Sequence, residues 1–149
     1  MGRLVKVVII GYPNVGKSTL FNRLLEEKRS LVHRLPGMTR DQISSFCTIN
    51  DRSFILVDTG GFFDSAKDPF SLKVREKARE ASQDADVLIF LCDAKQGLSS
   101  GEDELFRSLR KLNKSLLVVV NKVDSPKQEE NLAEFYKLGE IIPLSAEYK

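Results

Sequence analysis

Residues 4–18 read LVKVVIIGYPNVGKS, an aliphatic, β-branched run that passes directly into a loop with two glycines. Leu4 to Ile10 predicts a strand buried on both faces of a parallel sheet. Gly11 to Ser18 matches the pattern G-x-x-x-x-G-K-[ST]. Ser18 to Glu27 predicts a helix, because it carries one apolar stripe made of Leu20, Phe21, Leu24 and Leu25. A strand, a glycine-rich loop and a helix in this order are typical of a phosphate-binding loop.

The rest of the chain alternates between strand and helix patterns. Two strand-like runs, 45–50 and 53–58, are joined at Asn50-Asp51, which predicts an antiparallel hairpin at a sheet edge. The later elements are predicted as helix 72–83, strand 86–92, helix 102–112, strand 115–120, helix 129–138 and strand 141–144. The pattern predicts an α/β fold, with a doubly wound, mostly parallel sheet and one antiparallel edge strand.

Composition predicts one globular domain over residues 1–149, since 42% of the residues are hydrophobic and 30% are charged. The net charge of +2 is too small to indicate DNA or a membrane as a partner. The apolar run at the start is too short for a signal peptide or a membrane span, so we expect a cytoplasmic protein. Cys47 and Cys92 lie in strand patterns without metal spacing and are interpreted as reduced core thiols.

The chain ends soon after its last predicted strand. Only Ser145-Ala146-Glu147-Tyr148-Lys149 follow it, whereas a doubly wound sheet has helices over both faces. We therefore expect the closing helix of the domain to be absent and the chain to be a fragment of a longer protein.

The glycine-rich loop supplies the expected phosphate ligands. Gly11 and Gly16 permit backbone torsions that turn consecutive N–H groups toward a β-phosphate, with help from the helix dipole. Lys17 places a positive charge on the β- and γ-phosphates, and the Ser18 hydroxyl can bind Mg²⁺. The residues predicted to bind nucleotide here are Asn14, Val15, Gly16, Lys17, Ser18 and Thr19.

Two further segments point to the same site. Asp58-Thr59-Gly60-Gly61 ends a predicted strand, so Asp58 can hold Mg²⁺ through water while Gly60 and Gly61 free the following loop to move. The alternative is that Asp58 only caps a strand and the glycines form a turn. Thr39 lies in a polar stretch long enough to reach a bound nucleotide, where it could meet Mg²⁺ and the γ-phosphate. His33, in the same stretch, is interpreted as a solvated loop residue.

A base site is expected after the strand that ends at Val120. The carboxylate of Asp124 in Asn121-Lys122-Val123-Asp124 can accept from both N1–H and the exocyclic amine of guanine, a donor pair that adenine lacks. The stem of Lys122 can lie along the purine face, and the Asn121 amide can bridge loop and base. Ser145-Ala146, after the last strand, would bring a backbone N–H to guanine O6. The expected ligands are GTP and GDP.

Together these segments resemble the translation-factor-like GTPases of the Era and Der type over essentially the whole chain. The stretches Tyr12 to Leu24, Pro36 to Asp41 and Asp58 to Gly61 are most similar to the first G domain of the tandem GTPases in that family. The resemblance implies a switch in assembly of the large ribosomal subunit, with the ribosomal particle bound through domains outside this chain. It also implies that Lys17, Thr39 and Asn14 act in catalysis, with K⁺ held near Asn14; the alternative for Asn14 is a turn residue.

Phe62 stands where Ras-like GTPases carry a glutamine that orients water. A phenyl ring cannot hydrogen-bond water, so we expect slow intrinsic hydrolysis.

Two functions stay open on the sequence: a GTPase whose turnover times its release from the ribosomal particle, and a nucleotide-sensing module with little turnover. Another RNA-binding GTPase of the Era type is a further alternative. The basic run Lys73, Arg75, Lys77 and Arg79 could meet RNA, but an exposed face balanced by Glu76 and Glu80 is favoured.

Overall fold

A computed structural model describes residues 4–12, 16–28, 32–33, 43–49, 51–59, 72–123 and 131–144. The strands are β1 Val5–Ile10, β2 Val32–His33, β3 Ile43–Ile49, β4 Arg52–Asp58, β5 Val87–Asp93, β6 Ser115–Asn121 and β7 Ile141–Pro143. The helices are α1 Lys17–Lys28, α2 Leu72–Gln83 and α3 Ser100–Arg110, followed by a 3-10 helix, Asn131–Leu138.

The strands form one seven-stranded sheet in the order β2-β3-β4-β1-β5-β6-β7. From β4 through β1, β5 and β6 to β7 each neighbouring pair is parallel, and β3 runs antiparallel to β4. The predicted doubly wound, mostly parallel fold is confirmed, with β3 as its antiparallel strand. Parallel neighbours share one carboxyl edge, which is where α/β sheets bind their ligands.

The edge beyond β3 differs from the prediction. The two-residue strand β2 pairs antiparallel with β3, Val32 opposite Ser45 and His33 opposite Ser44. The interpretation of His33 as a loop residue is therefore wrong for its backbone. A pairing of two residues leaves no alternating pattern long enough to detect in the sequence.

Each face of the sheet has its own apolar core. On one face, buried residues of α2, α3 and the 3-10 helix pack against β1, β5 and β6; they include Ala78, Leu105, Phe106, Leu109, Leu132, Phe135 and Leu138. On the other face, Leu20 and Phe21 of α1 pack over Ile9, Leu56 and Leu91. Cys47 is buried in this second core and Cys92 in the first, and neither forms a disulfide, as predicted.

Two helix predictions need correction. α3 begins at Ser100 rather than Glu102, because Ser99 caps it: the Ser99 hydroxyl accepts from the Glu102 amide, and the Glu102 carboxylate accepts from the Ser99 amide. Residues 131–138 form a 3-10 helix rather than an α-helix. Three residues per turn bring its buried side chains, Leu132, Phe135 and Leu138, onto one line.

Within the described part of the chain, no helix combines the length and apolar character needed to cross a membrane.

Candidate functional site

Three strands deliver polar residues to the same edge of the sheet. Asp58, the last residue of β4, lies opposite Ile9 of β1, and Asp93, the last residue of β5, lies opposite Asn121 of β6. The start of α1 follows β1 at this edge. Because these strands are parallel, the phosphate loop, Asp58 and the guanine motif converge on one end of the molecule.

The side chain of Lys17 reaches back to the backbone of Tyr12. Its side chain is only 3% exposed, and Nζ donates to the carbonyl oxygen of Tyr12 at 2.8 Å. The Tyr12 ring is buried in the core, and its hydroxyl donates to the carbonyl of Gly101 in α3 at 3.2 Å. The ammonium of Lys17 therefore lies beside the backbone of Tyr12, at the carboxyl end of β1.

Gly16 joins the phosphate loop to the base motif. Its φ is +104°, a left-handed conformation that side chains rarely adopt, and a Cβ added there would overlap Nδ2 of Asn121. Asn121 is only 3% exposed. The two motifs, distant in sequence, are thus in direct contact through a glycine that no other residue can replace without displacing Asn121.

The end of β4 is fixed beside the loop. The Thr59 hydroxyl donates to the carbonyl of Ile9 at 2.7 Å, and Thr59 and Asp58 are both buried. This bond holds the Asp58 carboxylate next to the carboxyl end of β1, whose continuation is the phosphate loop. A carboxylate is the ligand type that Mg²⁺ prefers.

On the base side, Lys122 is held by a residue that the sequence analysis did not include. Nζ of Lys122 lies 3.0 Å from Oδ2 of Asp93, and Lys122 has a φ of +67°. Asp93 is 2% exposed, and its Oδ1 accepts the amide of Lys95 at 2.7 Å. The available signal was a carboxylate that directly follows an apolar strand, at the same strand end as the guanine motif.

The backbone after β7 lies beside the base motif. The amide of Leu144 donates to the carbonyl of Val120 at 3.0 Å, and the amide of Val123 donates to the carbonyl of Leu144 at 3.1 Å. The residues that precede Asp124 and Ser145 are therefore neighbours, as the predicted guanine site requires.

Several predicted site residues lie outside the described part of the chain: Asn14, Val15, Thr39, Gly61, Asp124, Ser145 and Ala146. Ser18 is described only as part of α1, and Thr19 is exposed in its first turn. The roles of these residues stay predictions.

The backbone of the described site fits a nucleotide and Mg²⁺. Gly16 has no side chain and a φ of +104°, a backbone conformation that lets N–H groups approach a phosphate closely. The buried donor Lys17 and the buried carboxylate Asp58 supply opposite charges at one strand edge. This pair suits a phosphate chain with a bound divalent cation.

Two buried ionisable groups, the Glu102 carboxyl and the Cys92 thiol, lie close to Asp93. Burial raises the pKa of the Glu102 carboxyl, and the nearby Asp93 and Glu134 raise it further, although the hydrogen bonds from Ser99 lower it. Burial, together with Glu102 and Asp93, raises the pKa of the Cys92 thiol well above its usual range. Cys92 is therefore a neutral core thiol and does not act as a nucleophile.

Comparison with known proteins places the chain among GTPases. A sequence profile of the family described as 50S ribosome-binding GTPase matches residues 6–122. The chain is 49% identical over 133 residues to GTPase Der of Trichlorobacter lovleyi, covering 89% of this chain and 30% of that protein. It is 43% identical over 145 residues to GTPase Der of Aquifex aeolicus, covering 96% of this chain and 34% of that protein. The chain thus spans about a third of the length of these relatives.

Solved structures agree on the fold. The cytosolic domain of the T. maritima FeoB iron transporter in its GMPPNP form has a TM-score of 0.65 at 26% identity, covering 97% of this chain and 58% of that one. Translation elongation factor SelB from Methanococcus maripaludis, in complex with GppNHp, has a TM-score of 0.72 at 22% identity, covering 97% of this chain and 30% of that one. With the family profile extending from β1 to the guanine motif, the chain belongs to the family of 50S ribosome-binding GTPases.

Proposed function

We propose that this chain is a G domain that binds GTP and GDP with Mg²⁺ and hydrolyses GTP slowly, as a switch in assembly of the large ribosomal subunit. The observation that supports it best is the contact between Gly16 and Asn121, which joins a phosphate loop to a guanine motif. A glycine-rich loop alone would favour any nucleotide. Its contact with Asn121 favours a guanine nucleotide.

In this proposal Lys17 exchanges partners when nucleotide binds. Its ammonium leaves the carbonyl of Tyr12 for oxygens of the β- and γ-phosphates, while the amides of residues 14–19 surround the β-phosphate. Ser18, Thr39 and Asp58 would hold Mg²⁺, which supplies neutralisation of the charge that develops on the phosphates. Asn121, Lys122 and Asp124, with the backbone at Ser145 and Ala146, recognise the base.

Lys17→Ala and Asp124→Asn test the two halves of the site. We expect Lys17→Ala to abolish binding of fluorescent GDP and GTP, and Asp124→Asn to shift preference away from guanine, measured against xanthosine diphosphate. Lys114→Ala is the control, since Lys114 precedes β6 at the opposite edge of the sheet and donates to the carbonyl of Gln83. Unchanged GDP binding in both site variants would overturn the assignment.

The rate and its dependence on cations form a separate proposal. Phe62 cannot orient a water molecule, so unaided hydrolysis is expected to be slow, and Asn14 is proposed to support activation by K⁺. Single-turnover GTP hydrolysis should be faster in KCl than in NaCl, and Asn14→Ala should remove the difference. Equal rates of the unmodified protein in the two salts contradict the role of K⁺ without affecting nucleotide binding.

A sensing module without turnover is the second candidate, favoured by Phe62. It predicts tight GDP and GTP binding but no phosphate release above background in either salt. Because the ribosomal particle is expected to bind through domains outside this chain, the partner is tested with a chimaera. This chain replaces the matching G domain of GTPase Der from Aquifex aeolicus, and the chimaera is pelleted with purified large subunits in GMPPNP or GDP. More protein in the GMPPNP pellet supports the switch, and equal recovery with both nucleotides speaks against it.

A further inference from the structure

Asp93, a buried residue at the carboxyl end of β5, makes three contacts. Its Oδ2 pairs with Nζ of Lys122 at 3.0 Å, its Oδ1 accepts the amide of Lys95 at 2.7 Å, and its carbonyl accepts the amide of Gly97 at 3.1 Å. Asp93 is 2% exposed, whereas the side chain of Lys122 is 34% exposed. The carboxylate of the pair is thus buried, whereas the lysine side chain is partly exposed to solvent.

The ion pair fixes the position of the Lys122 ammonium. Lys122 leaves β6 with a φ of +67°, and the pairing of Asp93 with Asn121 in adjacent strands keeps the two chain segments in register. The amide of Ala94 also donates to the carbonyl of Asn121 at 2.9 Å. Because its backbone and its Nζ are both held, the four-carbon stem of Lys122 is restricted to few rotamers.

We propose that Asp93 is a positioning residue for guanine-nucleotide binding. It holds the Lys122 ammonium so that the aliphatic stem is preorganised to pack against the face of the purine ring. This inference rests on the proposed function, and it adds a residue outside the phosphate and guanine motifs. A merely structural Asp93 would instead act only on the turn at residues 94–97, through its bonds to Lys95 and Gly97.

Asp93→Asn separates the two roles. The asparagine oxygen can still accept the Lys95 amide, but the charge that holds Lys122 is gone. Ordering a released lysine on binding should weaken GDP affinity by about threefold to tenfold. Because the stem meets the ring face and not its edge, affinity for inosine diphosphate should fall by the same factor, leaving the ratio of the two affinities unchanged. Asp124→Asn, which acts on the ring edge, should change that ratio.

Lys122→Met supplies the matched test of mechanism, since methionine keeps most of the stem and loses the ammonium. If Asp93 acts through Lys122, then Asp93→Asn should have little further effect on GDP affinity in the Lys122→Met background. Glu102→Gln is the control for a buried carboxylate nearby, because the described hydrogen bonds of Glu102 go to Ser99. It should leave GDP affinity unchanged.

The outcomes distinguish this inference from the function on which it rests. If the unmodified protein does not bind GDP, the proposed function falls and the inference falls with it. If it binds GDP and Asp93→Asn binds equally well, or if Asp93→Asn has its full effect in the Lys122→Met background, the positioning role alone is overturned. If Asp93→Asn does not fold, Asp93→Glu moves the anion by one methylene and should show the same equal loss for both nucleotides. Unchanged affinities in that variant overturn the role.

Discussion

At the residue scale, two structural constraints explain why glycine is needed at position 16 of the phosphate loop. Its φ of +104° disfavours any side chain, and the space next to its Cα is filled by Nδ2 of Asn121. Gly16→Ala should therefore lower the free energy of unfolding by about 1–3 kcal/mol and weaken GDP binding by at least about tenfold. Urea denaturation and fluorescent-GDP titration measure the two effects.

Gly139→Ala is the matched control for that prediction. Gly139 has nearly the same torsion, φ +106°, but an added Cβ would meet nothing within 4 Å. It should lose about 1 kcal/mol of stability from backbone strain and bind GDP normally. If both variants lose nucleotide equally, the contact with Asn121 is not the reason that glycine is needed at position 16.

Cys92 gives a second test at this scale. Burial and the neighbouring carboxylates raise the pKa of its thiol, so the reactive thiolate is scarce even in mildly alkaline buffer. We expect neither Cys92 nor the buried Cys47 to react with a thiol reagent at about pH 8 in the folded protein, and both to react in urea. Rapid labelling of the folded chain, located by mass spectrometry, contradicts the core assignment.

Residues differ in how much of their role the sequence could predict. Gly16, Lys17 and Asn121 belong to motifs whose spacing is fixed by the ligand, so the pattern alone was sufficient to choose them. Asp93 has no such pattern, and its partner Lys122 directly follows another strand, β6. Only the register between β5 and β6 brings the two side chains together.

At the scale of single elements, the first turn of α3 contains a pH-dependent group. The carboxylate of Glu102 closes the capping box with Ser99 but is buried near Asp93 and Glu134, and its pKa is raised from 4.5. The folded state therefore holds this proton more tightly than the unfolded state does. The stability contributed by the protonated form is fully present below pH 4.5 and is lost as pH rises through the folded-state pKa.

Glu102→Gln isolates this effect because glutamine resembles the protonated acid and still accepts from Ser99. Relative to the variant, the unmodified protein should lose stability as the pH of a urea-denaturation series rises from 4.5 to about 8. Glu102→Ala removes the box and should be about 1 kcal/mol less stable than Glu102→Gln at every pH. If the difference in stability between the unmodified protein and Glu102→Gln does not vary with pH, the carboxyl titrates normally.

Element boundaries show where local sequence is insufficient. α2 is found over Leu72–Gln83 as predicted. Among its described side chains, Ala78 and Ala81 pack on the core, whereas the charged residues at 76, 77, 79 and 80 are exposed. The predicted α-helix over 129–138 is a 3-10 helix over Asn131–Leu138, and the spacing of Leu132, Phe135 and Leu138, three residues apart, is compatible with both helix types over so few residues. Packing of all three side chains against β6 and β7 selects the tighter helix.

At the scale of the whole molecule, the two faces of the sheet are covered unequally. Among the described residues, α2, α3 and the 3-10 helix pack on one face, while α1 is the helix on the other and touches β1, β3 and β4. The β6–β7 half of that second face retains exposed apolar side chains: Leu117 is 43% exposed and Ile142 is 46% exposed. Parallel sheets normally have both faces covered, so this half is available for contact.

We therefore expect the chain to self-associate through the β6–β7 half of this face at high concentration. Leu117 and Ile142 lie on the same face because Ile142 is opposite Val119, two residues after Leu117. Leu117→Ser combined with Ile142→Thr should shift sedimentation toward monomer without altering GDP affinity, because both side chains lie on a face of the sheet and not at its carboxyl edge. Phe46→Ser is the control: Phe46 is also 43% exposed, but it lies on β3, on the face opposite Cys47 and far from β7 in the strand order. If Phe46→Ser dissociates the chain and the double variant does not, association occurs through the opposite face of the sheet at β3, and the uncovered β6–β7 half is not the cause.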